Sequence, residues 1–112
     1  MTLASKDTGS ARILSVQGSR IDAAMALRFK EDMRRITENA PDRVVLDLSM
    51  VDFIDSSGLG AIVAAMKYLR DGQRLDLAGL TPTVDRVFRL TRMDTVFRLY
   101  PRLEDAVADG VV

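Results

Sequence analysis

A chain of 112 residues, 47% of them apolar, is sized for one domain with a substantial core. Its sixteen Lys and Arg balance sixteen Asp and Glu, so it lacks the basic excess that nucleic acid or an anionic membrane surface demands. Cys and His are both absent, which removes disulfides, thiol chemistry, Ser-His-Asp and Cys-His catalysis and the ordinary zinc sites.

The expected elements follow in chain order. Residues 2 to 7 alternate weakly as an edge strand, and Asp7-Thr8-Gly9-Ser10 reads as a hairpin turn. Ala11 to Gln17 is a second strand with Ile13 and Val16 facing inward, broken by Gly18-Ser19. Ile21-Asp22 is a short extended piece, and Asp22 suits the N-cap of a helix from Ala23 to about Asn39. Met25, Phe29, Met33 and Ile36 form its apolar stripe, and Pro41 stands just beyond its end. Arg43 to Leu48 is nearly continuous and apolar, which suits a central parallel strand covered on both faces; Asp47 lies near its end or bonds locally. Ser49 to Ile54 is a loop that re-enters the core.

The next helix runs from Leu59 to about Arg70 through Leu59, Ile62, Val63, Met66 and Leu69, closed by Gly72 as a left-handed cap. Arg74 to Gly79 is a strand with Leu75 and Leu77 alternating. Thr81-Pro82 opens a third helix with Val84, Val87, Phe88 and Thr91 inward. Asp94-Thr95 turns the chain into a strand from Val96 to Tyr100. Pro101 then starts a short helix with Leu103, Ala106 and Val107 on one face, ended by Gly110, with Val111 and Val112 frayed. Alternating strands and helices imply parallel pairing with right-handed crossovers. The fold class is therefore α/β: a mixed, mostly parallel sheet of about five strands with about four helices, in one domain over residues 1–112. No apolar run approaches the ~20 residues of a bilayer span. Met1 to Asp7 carry no secretory apolar region. A soluble, cytoplasmic protein is expected.

The chain is organised around Asp55-Ser56-Ser57-Gly58, which lies where a strand ends and a helix begins. Such a junction presents free N–H groups and favours negative charge, so two hydroxyls there suggest a phosphate, bound or covalently attached. Capping is the competing role for Ser56 and Ser57, and Asp55 either caps or orients Ser57. Gly58 and Gly60 either admit a partner backbone or pack the helix on the sheet. Asp22, Asp47, Asp52 and Asp55 could be drawn as a magnesium site, but caps and turns account for them. Arg86, Arg89 and Arg92 form a basic stripe that reads as a solvated face. Met25, Met33 and Met66 lie on inward stripes and read as core. Ser57 does not occupy a Gly-x-Ser-x-Gly elbow, and Gly58-Leu59-Gly60 lacks the rest of a nucleotide-binding pattern.

These residues resemble the STAS domain, and within it the bacterial anti-sigma factor antagonists. The likeness rests on Val44-Val45-Leu46-Asp47-Leu48 and Val51-Asp52-Phe53-Ile54-Asp55-Ser56-Ser57-Gly58-Leu59-Gly60. It extends to Val16-Gln17-Gly18 with Ile21-Asp22, to the Thr81-Pro82 helix, and to Leu103-Glu104-Asp105-Ala106-Val107. One departure is visible: Ser19, Arg20 and Ile21 separate Gly18 from Asp22, one residue more than the family usually has.

The resemblance implies a transcription regulator in partner-switching signal transduction, a phosphoprotein and not an enzyme. It implies Ser57 as the residue phosphorylated by an anti-sigma factor serine kinase, which the unphosphorylated protein binds and thereby frees the sigma factor. A phosphatase acting on phospho-Ser57 resets the switch. Asp22, Asp55, Ser56, Gly58, Leu59 and Gly60 would form the partner-binding surface. No cofactor, metal or direct nucleic-acid contact is implied; the ATP belongs to the kinase. The alternative within the family is a non-phosphorylated STAS subunit with a structural role in a lipid-transport or stress-signalling assembly. A small hydrolase or phosphotransferase is disfavoured by the absent His and Cys.

Overall fold

A computed structural model of the chain describes residues 2–109. Strands β1 (Thr2–Thr8) and β2 (Ala11–Gln17) form the expected antiparallel hairpin. Its two-residue loop puts Gly9 at φ 55°, a left-handed conformation that glycine adopts without penalty. There follow β3 (Arg20–Ile21), α1 (Ala23–Thr37), β4 (Arg43–Asp47), β5 (Phe53–Ile54), α2 (Ser56–Met66), β6 (Arg74–Ala78), α3 (Pro82–Leu90), β7 (Leu99–Tyr100) and α4 (Leu103–Asp109). Five strands make one mixed sheet in the order β1-β2-β4-β6-β7, parallel beyond the hairpin. This is the expected α/β architecture. The short extended piece expected at Ile21-Asp22 is β3, one residue earlier, and the expected loop over Ser49 to Ile54 ends in β5; the two pair in parallel as a separate ribbon, Arg20 opposite Phe53 and Ile21 opposite Ile54.

Alternation along the strands feeds two cores. Leu14, Val16, Val44, Leu46, Leu75 and Leu77 meet Phe29 and Met33 of α1, Ile62 of α2, and Val84 and Phe88 of α3. On the other face Ile13, Val45 and Ala78 meet Ala106 of α4. Ile13 and Val16 are both inward, as expected, but they enter different cores. Val44, Val45 and Leu46 of the central β4 are all fully buried, as a strand covered on both faces requires.

The second face also holds a buried ion pair, on the side of β6 opposite Leu75 and Leu77. Asp76, only 1% exposed, accepts from Arg43 Nε at 3.0 Å and from Arg74 Nε at 3.1 Å. Arg43 Nη1 donates in turn to the Ala106 carbonyl, and Tyr100 and Arg98 hold Asp109. These bonds fasten α4 to the sheet.

Several boundaries differ from expectation, each for a local reason. α1 ends at Thr37, whose hydroxyl bonds back to the Met33 carbonyl. α2 begins at Ser56 because Asp55 supplies its cap, and it ends at Met66 in tightened turns from Lys67 to Leu69. Gly72 does take a positive φ of 88°, but in the turn beyond those residues. Arg92, also at positive φ, lies outside α3, so the arginine stripe is not continuous on that helix. The strand expected from Val96 shrinks to Leu99–Tyr100. A 3-10 turn over Met93–Thr95 tucks Phe97 inward, edge-on to Phe88 with ring centres 6.2 Å apart. The expected end of α4 at Gly110, and Val111 and Val112, lie outside the described residues.

Candidate functional site

The β3-β5 ribbon explains how the site is assembled. Ile21 and Ile54 are register partners, so the next residues, Asp22 and Asp55, occupy equivalent places at the starts of α1 and α2. Two strand-to-helix junctions therefore lie side by side. The loop before β5 is held by the Asp52 N–H on the Ser19 carbonyl at 2.8 Å and by the Thr81 hydroxyl on the Val51 carbonyl at 2.8 Å. Thr81 stands at the N-cap of α3 as expected, but its side chain serves this loop and not its own helix.

One carboxylate closes both helix starts. Asp55 Oδ1 accepts from the Gly58 N–H at 2.8 Å, and Oδ2 accepts from the Ala23 N–H at 3.1 Å. The Gly58 N–H is the main reason its carboxyl is held below the usual carboxylate range. Desolvation opposes the shift, and the Ala23 and Ser57 N–H groups and the Arg20 charge add to it. Asp55 is thus the cap, and Ser56, a candidate for that role, is the first residue of the helix. Asp22 occupies the N-cap position of α1, as expected, yet its side chain does not cap. Its Oδ2 accepts from Arg20 Nε at 3.2 Å, and its Oδ1 is buried without a partner. The guanidinium of Arg20 lies 4.4 Å from the centre of the Phe53 ring.

Ser57 follows in the first turn of α2 and is exposed, as is Ser56. The two glycines of the motif separate. A Cβ on Gly58 would fall 1.9 Å from the Ile21 carbonyl oxygen, so this residue is the close approach of α2 to β3 and faces inward. That corrects its expected place on the docking surface: Gly58 is buried. A Cβ on Gly60 would meet nothing within 4 Å beyond its own helix, and the residue is exposed. Leu59 is half-buried against the core.

Sequence reasoning missed the pairing of Arg20 with Phe53 at this place. Phe53 is 39% exposed. The one signal available was the additional residue in Ser19-Arg20-Ile21; the pairing that brings Arg20 to Phe53 is tertiary. Asp47 bonds locally, accepting from the Ser49 N–H at 3.0 Å. Among the described residues no group of three or more acidic side chains could hold a metal ion. Chemically, the site offers the exposed Ser57 in the helix turn that follows Asp55, a carboxylate already engaged by N–H groups. A serine hydroxyl is a weak nucleophile unless an adjacent base activates it.

A family model described as STAS domain matches residues 2–106. An anti-sigma-F factor antagonist of Mycobacterium tuberculosis is 27% identical over 107 residues, covering 96% of this chain and 87% of that protein. An anti-sigma-B factor antagonist of Listeria monocytogenes is 35% identical over 82 residues, covering 70% of each chain. The crystal structure of an anti-sigma factor antagonist from Mycobacterium paratuberculosis superimposes with a TM-score of 0.86 at 29% identity, covering 96% of this chain and 92% of that one.

Proposed function

The chain belongs to the STAS domain family, and from that premise we propose that it is an anti-sigma factor antagonist whose docking face is switched by phosphorylation of Ser57. In its unphosphorylated form it binds a cognate anti-sigma serine kinase in the bacterial cytoplasm, and the sigma factor is freed. The kinase ends the contact by transferring phosphate to Ser57, and a phosphatase restores it. The protein is a regulator and not an enzyme. No helix among the described residues is long and apolar enough to cross a membrane.

The observation that carries this reading is the exposure of Ser57 in the first turn of α2, next to N–H groups already committed to Asp55. Phosphorylation would add about −1.5 to −2 charge. The helix N-terminus tolerates that charge, so the fold survives. The Gly58 N–H, however, belongs to the Asp55 carboxylate. The phosphate therefore adds negative charge and bulk to the face beside Asp55, where like charge and desolvation oppose docking. Ser57, with Asp22, Asp55, Ser56, Leu59 and Gly60 around it, forms the proposed face; Gly58 supports it from beneath.

A pull-down with native and Ser57→Asp protein, with phosphate mapping of the native protein from cells, tests the reading. The native protein should retain a serine kinase that the variant loses, and phosphate should lie on Ser57. Identical partners for both proteins, with Ser57 unmodified, would favour the structural STAS subunit instead.

A further inference from the structure

Arg20 has two weak attachments. Its side chain is 52% exposed, and it holds Asp22 through Nε alone at 3.2 Å. Its other contact is the face of a partly exposed Phe53. Gly58 abuts the Ile21 carbonyl, so their chain neighbours, Ser57 and Arg20, flank one backbone contact between α2 and β3. We infer that Arg20 is the receiving group for a phosphate on Ser57, and that its guanidinium leaves Asp22 and the Phe53 ring to make that pair. The inference rests on Ser57 being the phosphoacceptor.

The physical argument is a competition. A phosphoserine carries up to twice the charge of a carboxylate and three strong acceptor oxygens, and the planar guanidinium matches two of them at once. The Asp22 carboxylate offers one bond at the edge of solvent, which is worth little. Asp22, which Arg20 holds, occupies the N-cap position of α1, whose first N–H is held by Asp55, so the Arg20 charge lies at the same pair of helix starts. Transfer of Arg20 has two further effects on the proposed docking face. It uncovers the Phe53 ring, and it leaves the Asp22 carboxylate, one oxygen of which is already unpartnered, without its cation. A kinase that docked on Arg20 stacked over Phe53 would then meet an exposed ring and a free carboxylate as well as the phosphate.

The test uses full-length protein with phosphoserine placed at position 57 during synthesis. A protein that no kinase phosphorylates would refute the switch but leave this experiment standing. In the unmodified protein the Arg20 δ-proton signals carry the ring-current shift of Phe53; in the phosphoprotein they should lose it. The phosphate's second pKa, about 6 when free, should rise by about half a unit in Arg20→Gln phosphoprotein, because an opposite charge in contact lowers it. Arg20→Lys should recover part of that difference. The amide spectrum of unmodified Arg20→Gln protein reports whether the fold is kept. Ring-shifted δ-protons that stay in place after phosphorylation overturn the inference, whether or not the phosphate titration responds to charge at a distance.

Discussion

Gly58→Ala and Gly60→Ala are the same substitution two residues apart on one helix, and they should act in opposite directions. At Gly58 the new Cβ would lie 1.9 Å from the Ile21 carbonyl oxygen and 2.7 Å from its carbon, whereas ordinary contact begins at 3.4 Å. The obstacle is backbone, held in the β3-β5 pairing, so no side chain can rotate away. Helix α2 would have to retreat by about 1.5 Å, an overpacking strain of about 1–3 kcal/mol. The retreat also pulls the Gly58 N–H from Asp55, so a net loss of about 2 kcal/mol is expected after the helix-propensity gain of alanine. For a domain of this size that lowers Tm by roughly 8 °C. At Gly60 the new Cβ would meet nothing within 4 Å beyond its own helix, and alanine should stabilise by about 0.5–1 kcal/mol. Urea unfolding and calorimetry on the three proteins give both values. A Gly58→Ala protein as stable as the native one would refute the close approach of α2 to Ile21 on which the site's geometry stands.

Asp55→Asn keeps one acceptor for the Gly58 N–H but turns an amide group toward the Ala23 N–H, so the urea midpoint at pH 7 should fall. The native carboxyl titrates below its unfolded value of about 3.9. Its stabilisation is therefore present above that pH and lost as pH falls through the folded pKa. The variant should show a smaller loss of stability between pH 5 and pH 2, measured by urea titrations across that range. Asp76→Ala leaves Arg43 buried without its partner and should cost about 3 kcal/mol by chemical denaturation. Arg43→Met with Asp76→Leu should recover most of it.

The sheet was legible because its signals are local. Val44 to Leu48 has the composition of a strand covered on both faces, and Thr81-Pro82 has that of a helix start. The site was half legible. Asp55-Ser56-Ser57-Gly58 announced a strand-to-helix junction, and Ser57 does emerge on the surface at the start of α2. The division of labour within the motif was hidden, because it depends on the ribbon of two-residue strands that carry no periodicity of their own. That ribbon puts Asp22 and Asp55 level, so that Asp55 caps a helix 32 residues away and Asp22 is left to Arg20. The same tertiary contact decides the fate of the glycines: Gly58 meets Ile21 and Gly60 meets solvent. Asp76 escaped notice for a related reason. A lone acid between two leucines reads as a solvent-facing residue until Arg43, 33 residues distant, is placed beside it.

The most direct test of the proposed switch is the affinity of the cognate kinase for this protein with and without phosphate on Ser57, measured in solution without ATP. Placing a phosphate beside Asp55 at a docked surface should weaken binding at least thirtyfold, about 2 kcal/mol, while the circular dichroism spectrum stays unchanged. Equal affinity for the two forms would contradict the account.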